Sequence, residues 1–249
     1  MQLAPSLHQI GSNVVNCYLV EQGGELTLID AGLPGQWREL QQELRRMGRS
    51  LEDIRALLLT HGDTDHIGFA ARLHREHGTP VYVHELDVPR ARGEIKKASS
   101  GWGPVKLWPL LGFIAYSAPR GGLNVPPTRE VQVLPTAGLP LDVPGSPRVV
   151  AMPGHTPGSV AYYFPSVNAV CVGDAMTTRS VLTGERGPRP APFTLDPAEA
   201  DASFKQLSSI EAQWVLPGHG PAWFGGTAEA VARYRAARGP VRTPVNAPA

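Results

Sequence analysis

Alternating apolar and polar residues predict short strands along most of the chain, with amphipathic helices between several of them. Short runs of β-type residues place the strands at 14–20, 25–30, 54–60, 81–83, 131–134, 148–152, 160–164, 169–172 and 214–216. Apolar residues spaced by three or four place helices at 36–47, from Asp65 as the cap to Gly78, at 197–210 and at 227–237. The nearly all-apolar third strand is typical of a strand that is covered on both faces.

The pattern breaks down in the segment 89–127, where glycine, proline and aromatic residues dominate. We predict an irregular or loosely helical insertion there, without a core of its own. The proline-containing tail at 239–249 is predicted to be flexible, because it holds little that could pack. The remainder is interpreted as one domain spanning 1–249.

The composition agrees with an ordinary globular domain. Hydrophobic residues make up 42% of the 249 residues, enough for a packed core. The 23 Lys and Arg nearly balance the 22 Asp and Glu, so no broad field favours nucleic acid or an anionic membrane. A small-molecule substrate is therefore the expected partner.

We expect a cytoplasmic protein. The first residues carry no basic region followed by an apolar segment, as a secretory signal would. The longest apolar stretch, 105–116, is interrupted by Lys106 and Pro109 and is shorter than the roughly 20 residues that span a bilayer. Cys17 and Cys171 both lie in strand-like runs, which indicates buried thiols rather than a disulfide.

Four loops place histidine or aspartate beside glycine directly after a predicted strand. They contain His61-Gly62-Asp63-Thr64-Asp65-His66, Gly154-His155, Gly173-Asp174 and Gly218-His219. Singly, such residues are caps, turn formers or polar loop residues. Strand ends at one sheet edge can bring the loops together, and imidazole with carboxylate favours zinc, iron or manganese over calcium or magnesium. Together they predict a metal site, with Asp30 bracing the loops through hydrogen bonds.

The first loop resembles the His-x-His-x-Asp-His signature of the metallo-β-lactamase superfamily, and the other three loops follow in that family's order. The resemblance implies an α/β fold, an αββα four-layer sandwich of two mixed β-sheets flanked by helices. It also implies two divalent metal ions at one sheet edge, with zinc expected and iron or manganese as alternatives. The implied ligands are His61, Asp63 and His155 for the first metal, Asp65, His66 and His219 for the second, and Asp174 as the bridge.

Asp63 departs from the family pattern, because most members carry histidine at this position. Two divalent ions, three carboxylates and a bridging hydroxide then sum to zero charge, whereas the common version carries one positive charge. A more anionic first site is expected to accept iron or manganese more readily and to lower the pKa of bound water less. Flavodiiron proteins of the same superfamily carry Glu here, which makes iron a serious alternative.

The resemblance implies hydrolysis of a small ester, thioester or lactone by a metal-bridging hydroxide, with Asp65 and Asp174 as the catalytic carboxylates. The aromatic insertion is the candidate wall or lid of the substrate pocket. The candidate substrate contacts are His84, Trp102, Trp108, Phe113 and Tyr116. A structural role for His84, and a satellite core or an oligomer contact for the aromatic residues, are equally open.

Two other classes of function stay open. A di-iron redox enzyme of the same fold is motivated by Asp63, and a non-catalytic ligand-binding or sensor protein by a weakened first metal site. Hydrolysis of β-lactams ranks below these, because the fold hosts many reactions and the sequence shows no export signal.

Overall fold

The structure, a computed structural model, describes residues 1–95, 103–135 and 140–238. Its strands are β1 (Gln2–Ala4), β2 (Leu7–Gly11), β3 (Asn16–Gln22), β4 (Glu25–Ile29), β5 (Ile54–Leu58), β6 (Val81–Val83), β7 (Gln132–Val133), β8 (Arg148–Ala151), β9 (Val160–Phe164), β10 (Ala169–Gly173), β11 (Thr177–Arg179), β12 (Arg186–Arg189), β13 (Trp214–Pro217) and β14 (Trp223–Phe224). Its helices are α1 (Trp37–Met47), α2 (Ala70–His77), α3 (Val88–Ala91), α4 (Leu107–Ser117), α5 (Pro197–Leu207) and α6 (Gly226–Arg238).

The strands pair into two mixed sheets and a separate hairpin. The first sheet has the order β1-β2-β3-β4-β5-β6-β7, antiparallel up to β4 and parallel from β4 to β7. The second has the order β14-β13-β10-β9-β8, in which β10 and β13 run parallel and the other pairs antiparallel. Strands β11 and β12 pair with each other.

Side chains that alternate along the first sheet divide its core between two layers. Leu19, Leu28 and Leu57 pack toward α1 and α2, where they join a cluster with Trp37 and Leu40. Their chain neighbours face the opposite way, because successive side chains of a strand point to opposite faces. The first sheet is therefore buried on both sides, as the apolar run of β5 predicted.

The second sheet lies against those opposite faces. Tyr18, Ile29 and Leu58 of the first sheet cluster with Tyr162 and Cys171 of the second. A third cluster fills the space between the second sheet and α5 and α6; it includes Val170, Val215, Phe204, Val231 and Tyr234. Three clusters between four layers confirm the predicted αββα sandwich, with both cysteines buried and free.

Strands β1, β2 and β14 and the β11–β12 hairpin were not predicted. The sequence pattern missed β2 because polar side chains occupy buried positions in this strand, so its buried residues are not all apolar. His8 is 8% exposed and pairs with Glu43 at 2.8 Å, and Gln9 is 2% exposed and donates to Asn16 at 2.7 Å. Such polar residues are compatible with burial because they are hydrogen-bonded.

The prediction that Asp65 caps a helix is wrong. Helix α2 begins at Ala70, although it ends before Gly78 as predicted. The preceding residues use their backbone differently, because Ala31 N donates to the His66 carbonyl at 2.6 Å and Gly68 N to the Gly32 carbonyl at 2.7 Å. These bonds tie the segment to the loop after β4 in place of a first helical turn.

Within the segment 89–127, predicted to be irregular or loosely helical, the structure forms the regular helix α4. Leu107 and Trp108 on α4 are 64% and 81% exposed, so part of its apolar surface faces solvent. Oligomer formation through this surface stays a prediction. Trp102 and the tail 239–249 lie outside the described residues. Among the residues that the structure does describe, no helix is long and apolar enough to cross a membrane.

Candidate metal centre

The ligand loops leave the carboxyl ends of core strands at one edge of the sandwich. Strands β4 and β5 are parallel, with Ile29 beside Leu58, and the loops after them carry Asp30 and the first ligand motif. Strands β10 and β13 are parallel as well, and they lead into the loops of Asp174 and His219. Because parallel strands end at the same edge, residues far apart in sequence meet there.

His61, Asp63 and His155 form one compact group, which we call the first triad. One donor atom from each lies within 4.8 Å of the others. The Asp63 Oδ2 atom is 3.4 Å from His155 Nε2 and 3.9 Å from His61 Nε2. All three residues are buried.

Asp65, His66 and His219 form the second triad, which satisfies the same 4.8 Å criterion. His219 Nε2 is 3.3 Å from Asp65 Oδ2. Asp174 lies between the triads, since its Oδ2 is 3.2 Å from His219 Nε2 and 3.7 Å from His155 Nε2. The structure therefore brings all seven candidate ligands together, with both triads as the family resemblance implied and with His61, His66 and Asp174 as a further group between them.

The donor atoms of this cluster fit metal ions. Within the described part of the chain, the Nε2 atoms of His61, His66 and His155 and the Oδ1 atom of Asp174 are buried and have no hydrogen-bond partner. An unsatisfied buried polar atom costs about 1–3 kcal/mol, so four of them facing one space call for a ligand. Imidazole nitrogen and carboxylate oxygen are the donors that zinc, iron and manganese accept.

Each site histidine is held through Nδ1, which directs Nε2 toward the cluster. The partners are Thr60 Oγ1 for His61 at 3.0 Å, Asp30 Oδ2 for His66 at 2.9 Å, Thr194 Oγ1 for His155 at 3.3 Å, and the Val14 carbonyl for His219. A hydrogen bond at Nδ1 fixes the ring orientation and the tautomer that a metal requires at Nε2.

Asp30 connects the two triads. Its carboxylate accepts hydrogen bonds from Thr60 N at 2.8 Å and Thr60 Oγ1 at 2.8 Å, in addition to His66 Nδ1. Its φ of 60° lies in the left-handed region, which aspartate tolerates better than most residues. Asp30 therefore braces the ligand loops through hydrogen bonds, as predicted.

Asp87 makes a second brace, which sequence reasoning missed. Its carboxylate accepts from Gly62 N at 2.7 Å, Thr156 Oγ1 at 2.8 Å and Gly158 N at 3.0 Å. These contacts tie the His61 loop to the His155 loop. No local motif marks Asp87, because its partners are close to it only in the folded chain.

Arg90 is a further missed residue. Its Nη1 atom donates to Asp63 Oδ1 at 2.8 Å, and both side chains are buried. Helix α3 carries Arg90 and packs directly against Gly62. A Cβ at Gly62 would lie 2.8 Å from Ala91 N and 3.0 Å from Arg90 Cβ, so only glycine permits this approach.

In the metal-free protein, the surroundings lower the pKa of one site histidine and raise the pKa of two others. Burial, followed by the neighbouring His66 and His155, holds the pKa of His61 well below its ordinary value. Burial also disfavours the charged form of His66, but Asp30 and Asp174 outweigh it and raise its pKa to about 9. The pKa of His219 is likewise raised, against burial, by Asp174 and Asp65. Metal binding at Nε2 would therefore release protons from the second triad.

A cavity of about 190 Å³ opens onto the second triad. Asp65, Asp174 and His219 form its polar end. Its apolar walls include Leu33, Phe113, Ile114, Val181 and Phe193. The Phe113 ring lies edge-on to His219, with 6.5 Å between ring centroids. Among the described candidates for substrate contact, Phe113 is the one that lines this cavity.

The other candidate substrate contacts lie elsewhere. Trp108 lines an adjacent groove, and the Tyr116 ring is covered by the Arg120 guanidinium at 3.9 Å. His84 accepts a hydrogen bond from Leu86 N at 3.3 Å and lines a separate cleft with Val133 and Leu134. The structure therefore does not bring His84 or Tyr116 to the cavity, because their elements turn them toward other neighbours.

Comparison with known proteins agrees with this site. The family model of the metallo-β-lactamase superfamily matches residues 10–219. The chain belongs to the metallo-β-lactamase superfamily. Within it, the chain is 30% identical to the probable metallo-hydrolase YflN of Bacillus subtilis (strain 168), over 88% of this chain and 85% of YflN.

Solved metallo-β-lactamase folds resemble the chain over nearly its whole length. A crystal structure of TTHA1623 in a di-iron-bound form is 30% identical, has a TM-score of 0.60, and covers 91% of this chain and 96% of its own. The BLEG-1 B3 metallo-β-lactamase is 23% identical and has a TM-score of 0.60. The match covers 90% of this chain and 95% of the BLEG-1 chain. At that lower identity the likeness concerns the fold alone.

Proposed function

We propose that this chain is a metal-dependent hydrolase of a small ester, thioester or lactone. The observation that carries the proposal is the convergence of seven donor side chains on one space, with buried Nε2 atoms that lack partners among the described residues. The name of YflN, a probable metallo-hydrolase, supports the same class of reaction.

The first triad would hold one divalent ion and the second triad the other, with Asp174 contacting both. Such ions supply a nucleophilic water at neutral pH and polarise the carbonyl group under attack. Zinc is the proposed metal, since imidazole and carboxylate donors suit it.

The cavity decides what can reach the site. Asp65, Asp174 and His219 form its polar end, and no Lys or Arg is among its described lining residues. An anionic substrate would find no counter-charge there apart from the metals. Apolar walls such as Phe113, Ile114 and Phe193 instead favour an uncharged acyl group.

The test is turnover of a panel of acyl esters, thioesters and lactones by protein carrying two metal ions. Asp174→Ala should abolish turnover and lower the metal content, because Asp174 touches both triads. Asp142→Ala, which removes an exposed carboxylate, is the matched control and should change neither. Failure of the fully metallated protein to hydrolyse any member of the panel would overturn the proposal.

A di-iron redox enzyme is the second candidate. TTHA1623, at 30% identity, was crystallised in a di-iron-bound form, and Asp63 adds a carboxylate to the first triad. Against this, the Arg90 guanidinium already balances the charge of Asp63. Elemental analysis of protein purified without added metal, together with its visible spectrum, separates the two: iron with its absorption bands supports the redox enzyme, and zinc alone excludes it.

A further inference from the structure

The two carboxylate oxygens of Asp63 face different partners. Oδ1 accepts a hydrogen bond from Arg90 Nη1 at 2.8 Å. Oδ2 points to the first triad, 3.4 Å from His155 Nε2 and 3.9 Å from His61 Nε2. One oxygen therefore accepts a hydrogen bond from Arg90, and the other faces the two imidazole rings of the first triad.

The ion pair is buried and neutral as a unit. The Arg90 side chain is 6% exposed and that of Asp63 is 3% exposed. A guanidinium group remains cationic in proteins, so the negative charge of Asp63 is cancelled where it stands. Counting Arg90 restores the single positive net charge of the usual two-metal site with histidine at this position.

The surrounding structure fixes Arg90 in place. Helix α3 packs against the backbone of Gly62, and Asp87, just before α3, binds Gly62 N together with residues of the His155 loop. The segment 87–91 therefore touches both loops that supply the first triad. Arg90 makes this contact through one hydrogen bond from Nη1, and its planar, permanently charged guanidinium suits an orienting role better than the flexible ammonium of a lysine.

We propose that Arg90 is a positioning residue for the first metal, and that Asp63 and Arg90 together replace the neutral histidine found at this position in most family members. The pair would orient one carboxylate oxygen and keep the charge of the site unchanged. The inference rests on the metal-binding part of the proposed function and is independent of which substrate is hydrolysed.

A salt bridge with a purely structural role predicts something different. If the salt bridge were purely structural, breaking it would leave the metal affinity unchanged. The Tm of the metal-free and of the metal-loaded protein would then fall equally, because the stabilisation by bound metal depends on that affinity. A positioning role predicts a larger loss in the metal-loaded protein. Measuring both forms of each variant therefore separates the two roles without any activity assay.

The experiment compares Arg90→Met, Asp63→His and the double variant Asp63→His/Arg90→Met with the unmodified full chain. Zinc content is measured by elemental analysis, and the affinity of each site by competition with a chromophoric chelator. Cobalt substitution adds a visible spectrum that reports on the ligands. Arg49→Met is the matched control, because it breaks the ion pair between Arg49 and Glu21, which lies outside both triads.

Arg90→Met is expected to weaken zinc binding at the first site by roughly 10- to 100-fold, the usual effect of losing a partner that orients a ligand. Asp63→His leaves the Arg90 charge unpaired beside the metal position, and the zinc content should fall from two ions toward one. The double variant should regain two zinc ions and show an altered cobalt spectrum. Arg49→Met should keep both sites.

Two results would overturn the inference. The first is wild-type zinc affinity in Arg90→Met at both sites. The second is a double variant that binds no more zinc than Asp63→His alone. If Arg90→Met does not fold, Arg90→Gln keeps one hydrogen-bond donor while removing the charge, and the same loss of first-site affinity is expected of it. A substrate panel that fails would leave these zinc measurements fully interpretable, so the two proposals can fail separately.

Discussion

The two triads of the candidate metal centre differ in what surrounds them. The second triad reaches the cavity through Asp65 and His219, whereas no member of the first triad lines it. The first triad is instead enclosed by α3, with Arg90 on Asp63. Under the proposed function, the first metal position would be held by the protein, and the second would face the substrate in the cavity.

The triads also obtain their charge balance differently. In the first triad a permanent cation, Arg90, neutralises Asp63, and burial keeps the pKa of His61 low. In the second triad His66 and His219 have raised pKa values and balance the carboxylates with protons. Metal binding must displace those protons, so zinc uptake by the second triad should depend on pH more strongly.

The largest expected effect comes from breaking the brace that both triads share. Asp30→Ala removes the acceptor of Thr60 N, Thr60 Oγ1 and His66 Nδ1, all of which are buried. We expect a loss of about 3 kcal/mol or more in the free energy of unfolding, measured by denaturant titration. Zinc affinity of the second triad should fall by roughly 10- to 100-fold, because the His66 ring loses its orientation.

Asp30→Asn is the matched variant for this prediction. Asparagine tolerates the left-handed backbone at position 30 and keeps one acceptor oxygen, so its loss should be smaller than that of Asp30→Ala. Equal zinc affinity in the wild type and Asp30→Ala would contradict the role assigned to this brace.

Gly62→Ala tests the first triad alone. The added Cβ would meet Ala91 N and Arg90 Cβ and push α3 away from the ligand loop. We expect roughly 1–3 kcal/mol of destabilisation and loss of the first zinc ion, with the second retained, measured by thermal unfolding and elemental analysis. Gly112→Ala, where a Cβ meets nothing within 4 Å, is the control. Two zinc ions in Gly62→Ala would argue against the tight enclosure of the first triad.

Phe113→Ala tests whether the second triad faces the substrate. Removing this ring from the cavity wall should raise the KM for an apolar acyl substrate by roughly tenfold, equivalent to about 1.4 kcal/mol, while leaving the zinc content at two ions. Trp108→Ala serves as the comparison, since Trp108 is 81% exposed and lines another groove. Steady-state kinetics with no difference between the two variants would refute this assignment of the wall.

Glu43→Gln changes the stability of the fold at a position outside both triads. It therefore tests whether a loss of stability by itself lowers the zinc content. Burial opposes the charge of Glu43, but the Met1 amino group, His8 and Arg46 outweigh it and lower its pKa. At pH values above the ordinary glutamate pKa, about 4.3, the lowered pKa of Glu43 stabilises the folded state. This stabilisation disappears as the pH falls through the pKa that Glu43 has in the folded protein. The variant should lose about 1 kcal/mol or less at neutral pH.

The difference from wild type should then shrink as the pH falls below the ordinary glutamate pKa, as followed by thermal unfolding across pH. The zinc content at neutral pH should remain at two ions. A difference that grows with acidification would show that the carboxylate of Glu43 is not the stabilising group.

The sequence by itself determined the nine predicted strand runs of the two sheets, the order of the four ligand loops and the seven ligand candidates. These features are local: a strand is marked by the alternation of its own residues, and a ligand loop by His or Asp beside Gly after that strand. The nearly all-apolar run at 54–60 also predicted that β5 is covered on both faces. The αββα sandwich was implied by the family resemblance of the ligand loops rather than by the strand pattern.

Only the tertiary structure decided how those ligands are held and which of them the cavity reaches. Arg90 and Asp63 are 27 residues apart, and neither residue's neighbourhood in the sequence marks the pair. Asp87 binds backbone and side-chain groups 25 to 71 residues away. The start of α2 was likewise set by hydrogen bonds to the loop after β4 rather than by a cap at Asp65. Contacts between distant segments depend on how the layers pack, and local periodicity carries no record of them.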